Sequence, residues 1–379
     1  MGEPVGDTGL LLTGLGLVTA FGLGVERYWT ELVGGASALQ SAAPSAGPPI
    51  AAAHGPGTSP DDPERQPWLV RQALAEALAD AGHAAVPPRT VVVLVGQTPA
   101  LDRVTPRRLS FLGADPLASA VRGDAEPVFV SHACASVLFG LALGGRWLHA
   151  GLADTAIVLG GWTAGEYGVA SMEVVKALSL EVARPFDPER SGTTLGEGSG
   201  AIVLERAIDA HRRGAVPRAA VAGVTCRVAG NEAAASDAGS ATAVMAEALR
   251  QAGLPRPDHV HAHAAGTPQG DDAELAALDR LAREGSWPGT TVSSHKGAVG
   301  HLMHCAGFPA TAAAVRTLET GTVPGTAGLR HPVQRGALTV LTASEQLPGV
   351  SSVLVNSFGF GGNTAATVLT WPLSTTTRR

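Results

Sequence analysis

The sequence predicts an α/β protein made of two similar halves, residues 1–210 and residues 211–379. Short runs of β-branched residues alternate with Ala-rich helical stretches along the chain, and the second half repeats this alternation. Such an order of elements is typical of α/β folds. Because 45% of the residues are hydrophobic but only 4% are aromatic, the core must form by close packing of small side chains.

Each element is predicted from a run of β-branched residues or from helical periodicity with a stop signal. In the first half, strands are predicted at 10–14, 91–95 and 155–159, and helices at 68–81, closed by Gly82, and 135–149. In the second half, strands are predicted at 219–224 and 259–263, and helices at 240–251, 271–284 and 301–318. Two stretches without periodicity, 41–67 and 321–333, are predicted to be surface excursions.

Charge and cysteine content exclude several classes of function. The net charge of -6 comes from 27 basic and 33 acidic residues without a basic cluster, so nucleic acid is not an expected partner. Cys134, Cys226 and Cys305 are few, odd in number and without metal-type spacing, which disfavours a disulfide framework and a bound metal. We therefore expect a cytoplasmic protein. The apolar run 133–145 is shorter than the roughly 18 residues of a membrane span, so no membrane association is expected.

Cys134 is the candidate nucleophile because it comes directly before a long apolar stretch that predicts a buried helix. A cysteine reacts as its thiolate, and the unpaired N–H groups and dipole of a helix N-terminus stabilise an anion. A buried cysteine that only packs is the alternative that this segment alone leaves open.

Further segments complete a pattern with Cys134. Gly-Phe-Gly-Gly occurs at 359–362, and a histidine begins each of the runs His-Ala-Ala-Gly-Thr and His-Leu-Met-His. Together these segments resemble the β-ketoacyl synthases, specifically the elongating Cys-His-His branch of the thiolase-fold superfamily that serves fatty acid and polyketide synthesis. The stretches that carry the resemblance, in family order, are 13–22, 130–145, 184–200, 262–271, 294–307 and 356–364.

The resemblance implies the fold and the catalytic residues. Two mixed five-stranded sheets, with buried helices between them and further helices outside, would give α-β-α-β-α layers. The first half would carry the nucleophile Cys134, and the second half His263, His301 and Lys296. The two histidines would hold a malonyl thioester and assist loss of carbon dioxide, since two neutral N–H donors stabilise an enolate oxygen only as its charge develops. Lys296 would set the local charge.

The glycine-rich segment implies further contacts. The backbone N–H groups of Cys134 and Phe360 match the oxyanion hole of the family, and Phe360 also matches the residue that gates the thiol. Phe358 and Gly359 are predicted to line the substrate site, and Thr267 matches a hydroxyl that contacts phosphopantetheine. An ordinary glycine-rich turn is the alternative for the segment taken alone.

Three positions depart from the family pattern. Ala265 replaces a hydroxyl residue that contacts pantetheine, and Ala310 replaces a frequent glutamate, which would leave Lys296 without that partner. His132 stands where threonine is usual, and its side chain is expected to point away from the pocket because neighbouring strand positions alternate faces. The absence of the glutamate at Ala310 favours an enzyme of secondary metabolism.

The resemblance implies decarboxylative Claisen condensation of a Cys-bound acyl chain with a malonyl thioester on an acyl carrier protein. Two alternatives remain: an acyltransferase that forms an ester or amide without decarboxylation, and a partner subunit similar to a chain length factor. Substrates would arrive on phosphopantetheine, with no tightly bound cofactor. A homodimer, or a heterodimer with a second ketosynthase-like subunit, is expected. The candidate cations for docking a carrier protein are Arg103, Arg107, Arg108, Lys176, Arg212 and Arg213.

Overall fold

The computed structural model describes residues 9–39, 50–52, 62, 64–96, 100–101, 109–110, 127–179, 181–229, 237–333, 336 and 338–372. The strands are β1 Leu10–Thr19, β2 Gly22–Leu23, β3 Ile50–Ala51, β4 Thr90–Val95, β5 Ala100–Leu101, β6 Leu109–Ser110, β7 Val128–Val130, β8 Thr155–Trp162, β9 Leu195–Gly196, β10 Gly198–Arg206, β11 Ala219–Val228, β12 His259–His261, β13 Thr291–Ser293, β14 Thr322–Val323, β15 Thr339–Val340, β16 Glu345–Gln346, β17 Ser352–Gly359 and β18 Asn363–Thr370. The helices are α1 Val25–Val33, α2 Arg65–Asp80, α3 Ser136–His149, α4 Glu166–Val174, α5 Ala207–Arg212, α6 Ala238–Gln251, α7 Pro268–Gly285, α8 Lys296–Val299 and α9 Gly307–Thr320, with a 3-10 turn at Met303–Cys305.

The main sheet consists of two units of five strands that share one topology. The N-terminal unit has the order β7-β4-β8-β10-β1, and the C-terminal unit has the order β13-β12-β17-β18-β11. In each unit the first three strands are parallel and the last two pair antiparallel. The prediction of two similar five-stranded halves is confirmed.

The two units are continuous with each other rather than forming separate sheets. Strands β1 and β11 pair antiparallel over three residues, with Leu10 opposite Val221 and Leu12 opposite Ala219. The result is one 12-stranded sheet, in which β15 and β2 are additional edge strands. The division into domains 1–210 and 211–379 stays a prediction.

Helices cover both faces of each unit and give the layers that the resemblance implied. Helices α3 and α9 form the middle layer, since each contacts strands of both units. Helix α2 packs on the outside of the N-terminal unit, and α6 with its neighbour α7 packs on the outside of the C-terminal unit. The two middle helices begin beside the segments that hold the candidate catalytic residues.

Glycines allow the middle helices to pack closely against the sheet. A Cβ atom at Gly140 would lie 2.8 Å from Cγ1 of Val158, and one at Gly145 would lie 2.5 Å from Cδ1 of Leu10. Gly307 at the start of α9 meets Val137 of α3 in the same way, at 2.6 Å from its Cβ. Close packing of small residues was the prediction from composition.

The predicted helices occur with small shifts at their ends, except for one, and the strands predicted at 10–14, 155–159 and 219–224 extend further, to Thr19, Trp162 and Val228. The sequence predicted a helix over 301–318, but α9 begins only at Gly307. The segment before it is broken because Met303 adopts a left-handed φ of 49° and a 3-10 turn follows. The break separates His301 from the helix and leaves its ring at the end of the middle layer.

Within the described ranges, no helix is long and apolar enough to cross a membrane. No group of three or more His, Cys, Asp and Glu in those ranges is arranged to hold a metal ion. Of the six candidate docking cations, Arg103, Arg107 and Arg108 lie outside the described residues.

Candidate active site

Cys134 lies in a tight turn between β7 and α3. Ala133, the residue before it, has a φ of 46°, which is unusual for a residue with a Cβ and marks a constrained turn. The turn is held by the Ser136 hydroxyl, which donates to the Ala133 carbonyl at 2.7 Å, and by the Ser357 hydroxyl, which donates to the Cys134 carbonyl at 2.8 Å. Cys134 is therefore fixed relative to strand β17.

The ionisation of Cys134 differs from the sequence-based expectation. Burial raises the pKa of its thiol to about 11, and the positive charge of Lys296 opposes this effect. The residue is only 4% exposed, and its loss of hydration outweighs the Lys296 charge, whereas the sequence-based expectation was a position that favours the thiolate. The resting thiol is protonated at neutral pH.

His263 and His301 face each other across the start of the middle layer. Their ring centroids are 5.5 Å apart, and the rings are nearly perpendicular at 78°. His263 follows β12, whereas the backbone of His301 is held by the β9 segment, where it donates to the Thr194 carbonyl at 2.8 Å and accepts from Gly196 at 3.1 Å. Residues far apart in sequence thus bring the two predicted histidines together.

Hydrogen bonds fix which nitrogen of each imidazole carries the proton. The backbone N–H of Met303 donates to Nδ1 of His301 at 3.1 Å, and Nζ of Lys296 lies 3.3 Å from Nδ1 of His263. Because each Nδ1 accepts, the neutral rings carry their protons on Nε2. Burial lowers the pKa of both imidazoles well below 6.5, and the Lys296 charge lowers it further. Each ring is then a neutral N–H donor through Nε2.

Lys296 is a buried cation with acidic neighbours. It is 1% exposed, and its Nζ also donates to the His263 carbonyl. Burial lowers its pKa to about 8, against the opposing effect of Glu274, Cys134 and Asp271. Ala310 supplies no carboxylate here, as the sequence indicates, and the negative charges that favour the ammonium form of Lys296 are those of Glu274 and Asp271 on α7.

Glu274 and Asp271 brace the loop that carries His263, a role that the sequence argument missed. Glu274 accepts from the backbone N–H groups of His263 at 2.9 Å and of Ala264 at 2.8 Å. Asp271 accepts from Ala265 at 3.0 Å and from Gly266 at 3.1 Å. Two carboxylates one turn apart at a helix N-terminus, just after a glycine-containing loop, are the signal that could have located them.

The glycine-rich turn lies against the nucleophile. A Cβ at Gly359 would stand 2.8 Å from the backbone nitrogen of Cys134, so only glycine permits this approach. The Phe358 ring is buried with its centroid 5.8 Å from that of His263, and Phe360 is partly buried against the main core. Thr267 is the N-cap residue of α7 and is partly exposed.

His132 engages the glycine-rich turn, which the argument from alternating strand positions did not predict. Its Nδ1 lies 2.9 Å from Oδ1 of Asn363, and its ring stacks on Phe139 with the centroids 3.8 Å apart. The residue lies in a turn and not in a strand, so alternation does not apply to it.

The remaining histidines of these segments are buried and each makes at least one hydrogen bond, but Nδ1 of His261, Nε2 of His295 and Nδ1 of His304 have no hydrogen-bond partner. His261 and His295 bond to each other at 3.0 Å, and His304 bonds to the Gly161 carbonyl at 3.1 Å. His259 bonds to the Thr291 hydroxyl at 2.8 Å. None of these three contacts involves Cys134, His263 or His301.

Among the candidate docking cations, two arginines are engaged with acidic neighbours. Arg212 forms an ion pair with Asp209 at 3.0 Å, and Arg213 pairs with Glu205 at 2.5 Å. Lys176 is exposed just after α4.

Comparison with known proteins identifies the family. The N-terminal and C-terminal domains described as beta-ketoacyl synthase match residues 114–210 and 218–330. The chain is 31% identical to the tetracenomycin polyketide synthase ketoacyl synthase alpha subunit of Streptomyces glaucescens, over 97% of this chain and 98% of that protein. It is 29% identical to the mitochondrial 3-oxoacyl-acyl-carrier-protein synthase of Arabidopsis thaliana, over 94% and 92%.

Solved structures show the same fold at lower identity. The ishigamide ketosynthase/chain length factor has a TM-score of 0.81 at 23% identity, covering 96% of this chain and 99% of that chain. A ketosynthase from module 6 of the bacillaene synthase of Bacillus subtilis 168 has a TM-score of 0.84 at 22% identity, covering 97% and 72%. The domain matches and the full-length relatives agree, and the chain therefore belongs to the β-ketoacyl synthase family.

Proposed function

We propose that this enzyme catalyses decarboxylative Claisen condensation of an acyl group on Cys134 with a malonyl thioester, in polyketide or fatty acid biosynthesis. The observation that carries the proposal is the meeting of the two units: Gly359 brings the C-terminal unit against the Cys134 amide, and Phe358 connects it to His263. The thiol of Cys134 and the imidazoles of His263 and His301 would then act on one bound substrate. Each group that the covalent and enolate steps need is present.

The first step is transfer of the acyl group to Cys134. The sulfur attacks the acyl thioester carbonyl as its thiolate, the new C–S bond forms, and the pantetheine thiol leaves with a proton. The oxyanion of the tetrahedral intermediate would accept from the backbone N–H groups of Cys134 and Phe360. Lys296 promotes this step through its charge, which opposes the pKa-raising effect of burial.

The second step is loss of carbon dioxide from the malonyl thioester. The C–C bond to the carboxylate breaks, and its electron pair passes into an enolate whose oxygen becomes negative. The Nε2–H groups of His263 and His301 would donate to that oxygen, and since the rings are neutral they gain most as the charge develops. The enolate carbon then attacks the carbonyl of the Cys134 thioester, a C–C bond forms and the C–S bond to Cys134 breaks. The Cys134 thiolate is regenerated, and the β-ketoacyl product remains on its carrier.

The substrates would be carried on phosphopantetheine, with Thr267 as a contact for that arm and Ala265 contributing no hydroxyl. An acyl carrier protein is the proposed donor and acceptor, and a homodimer or a heterodimer with a ketosynthase-like subunit is the proposed assembly. The three reduced cysteines of the described structure fit a cytoplasmic protein. No tightly bound cofactor enters the proposed steps.

Intact-mass spectrometry tests the proposal. Wild type, Cys134→Ala and a His263→Ala/His301→Ala variant are each incubated with acyl and malonyl carrier-protein thioesters. We expect an acyl adduct that requires Cys134, carbon dioxide release that requires the histidines, and a product longer by two carbons. Cys226→Ala is the control for a thiol outside the site.

The outcomes separate the alternatives. An adduct that an alcohol or amine discharges without carbon dioxide release would identify an acyltransferase. Absence of any adduct in the wild type would contradict the proposal and favour a partner subunit.

A further inference from the structure

His132 links the nucleophile turn to the glycine-rich turn through one asparagine. Nδ1 of His132 lies 2.9 Å from Oδ1 of Asn363, and Nδ2 of Asn363 donates to the Phe360 carbonyl at 2.6 Å. His132 precedes Cys134 by two residues, and Phe360 is the gate and oxyanion residue of the proposed function. A chain of two hydrogen bonds therefore runs from one side of the reaction site to the other.

The direction of both hydrogen bonds follows from their acceptors. The Phe360 carbonyl can only accept, so the Asn363 amide must turn its NH₂ group towards it and its oxygen towards His132. An amide oxygen also only accepts, so His132 carries a proton on Nδ1. This donor is present in the neutral and the cationic ring, and the link does not depend on the charge of His132.

Both ends of the link are held in place by the fold. The backbone N–H of His132 donates to the Ser136 hydroxyl at 2.8 Å, and its ring stacks on Phe139 with an interplanar angle of 15°. Asn363 begins β18, where it pairs with Gly359 of β17 and with Val228 of β11. The link thus joins a rigid turn to a rigid strand end.

Phe360 to Gly362 lie between these two ends, and the backbone conformation of this segment is what the link would restrain. Gly361 and Gly362 follow Phe360 with φ values of 74° and 70°, in the left-handed region. Glycines lower the cost of moving the backbone, so a hydrogen bond to the Phe360 carbonyl adds to side-chain packing in setting the orientation of that peptide. The Asn363 amide holds the carbonyl of that peptide, and His132 holds the amide.

We propose that His132 and Asn363 are positioning residues that fix Phe360 beside Cys134 and so control acyl loading. The proposal rests on the proposed function for the identity of the loading step. His263 and His301 make none of these contacts, so the link acts on transfer to the thiol and not on decarboxylation. It also gives a role to one departure from the family pattern, the histidine two residues before Cys134.

Substitutions can separate the hydrogen bond from the packing. His132→Phe keeps a flat ring on Phe139 but removes the donor, whereas His132→Asn loses the ring but places an N–H close to the position of Nδ1. Asn363→Ala removes both links. His211→Phe, on an exposed helix position, is the matched control for a histidine-to-phenylalanine change.

Three quantities are measured for each variant: the kcat/KM of Cys134 acylation, the rate of carbon dioxide release from a malonyl carrier-protein thioester, and the rate of Cys134 alkylation by iodoacetamide. A misplaced reacting group costs up to about 100-fold. We expect His132→Phe and Asn363→Ala each to lower acylation about tenfold or more, with carbon dioxide release within about twofold of wild type. In both variants the loss of the hydrogen bonds that position Phe360 should make alkylation of Cys134 faster. His132→Asn should have acylation and alkylation rates close to those of wild type.

The double variant His132→Phe/Asn363→Ala supplies a further criterion. Residues that act as one unit give non-additive effects, so the double variant should acylate no more slowly than the worse single variant. The proposal is overturned if His132→Phe acylates and alkylates like wild type, if carbon dioxide release falls in parallel with acylation, or if the two substitutions add. Failure of wild type to form an acyl adduct would instead refute the proposed function, and the alkylation rates would still test the link.

Discussion

The two five-stranded units share their topology but differ in the chemistry at the start of their middle helix. In the N-terminal unit, the left-handed residue Ala133 precedes Cys134 and then helix α3. In the C-terminal unit, the left-handed residue Met303 precedes Cys305 and then helix α9. Each unit therefore has a thiol just before its middle helix, although Ala133 lies directly before Cys134 and Met303 lies two residues before Cys305.

The surroundings of the two thiols decide their roles. Cys134 is 4% exposed and feels the charge of Lys296, whereas Cys305 is fully buried and burial alone raises its pKa well above 9.0. A Cβ at Gly160 would stand 3.3 Å from Sγ of Cys305, which shows how closely that sulfur is packed. A thiol before a middle helix is thus the proposed nucleophile in one unit and a closely packed group in the other.

Replacing each of the two thiols by alanine should give the largest difference in condensation activity between the two units. We expect Cys134→Ala to lower condensation at least about 1,000-fold, because the covalent step has no other nucleophile. Cys305→Ala should leave condensation within about threefold of wild type, since its sulfur takes no part. Steady-state product formation with carrier-protein thioesters measures both, and equal losses would contradict the assignment.

Removal of one imidazole should have the next largest effect. His301→Ala is expected to lower carbon dioxide release about 100-fold, in the range found for loss of one oxyanion donor. Acylation of Cys134 should persist in this variant, because the N-terminal unit supplies the nucleophile. His304→Gln, which retains a donor towards the Gly161 carbonyl, is the control in the same turn. A loss of adduct formation in parallel with carbon dioxide release would argue against separate roles.

The charge of Lys296 in the C-terminal unit should make acylation of Cys134 in the N-terminal unit depend on pH. Burial lowers the pKa of Lys296 to about 8, so the ammonium is present below pH 8 and is lost as the pH rises through that value. We expect Lys296→Met to slow acylation about tenfold or more, since the pKa of Cys134 rises further without the charge. The pH profile of acylation in wild type should change slope near pH 8, and the variant should lack this change.

The same lysine should cost stability. Its folded-state pKa lies below the unfolded value, so the unfolded chain binds more protons between about pH 8 and pH 10 and the free energy of unfolding rises with pH over this window. Lys296→Met should remove that rise and increase stability at pH 7. Urea unfolding at several pH values tests the sign, and a variant less stable than wild type at pH 7 would contradict it.

The smallest effect is expected from the brace beneath His263. Glu274→Gln keeps the shape of the side chain but presents an NH₂ group to at least one of the donors from His263, Ala264 and Asn356. We expect a loss of about 1–3 kcal/mol in the free energy of unfolding, as for a buried unpaired donor. Thermal unfolding measures this, and Glu284→Gln on the exposed end of α7 is the matched control.

Much of the architecture was predictable from local patterns. The runs 91–95 and 155–159 predicted strands because β-branched and apolar residues follow one another there, and the structure has β4 and β8 at these positions. The helix after Cys134 was predicted within one residue of its observed start. The helix over 301–318 was wrong at its start, since the positive φ of Met303 leaves no signature in an apolar sequence.

The sequence by itself determined the α/β alternation, the order of the motifs and the identity of the thiol, imidazole and ammonium groups. Tertiary structure decided what those groups experience: the high pKa of Cys134, the acidic partners of Lys296, and the contact of His132 with Asn363 across 231 residues of chain. The physical reason is that hydration and hydrogen bonding depend on distances between atoms remote in sequence. Local patterns specify which groups are available, and only packing specifies which of them meet.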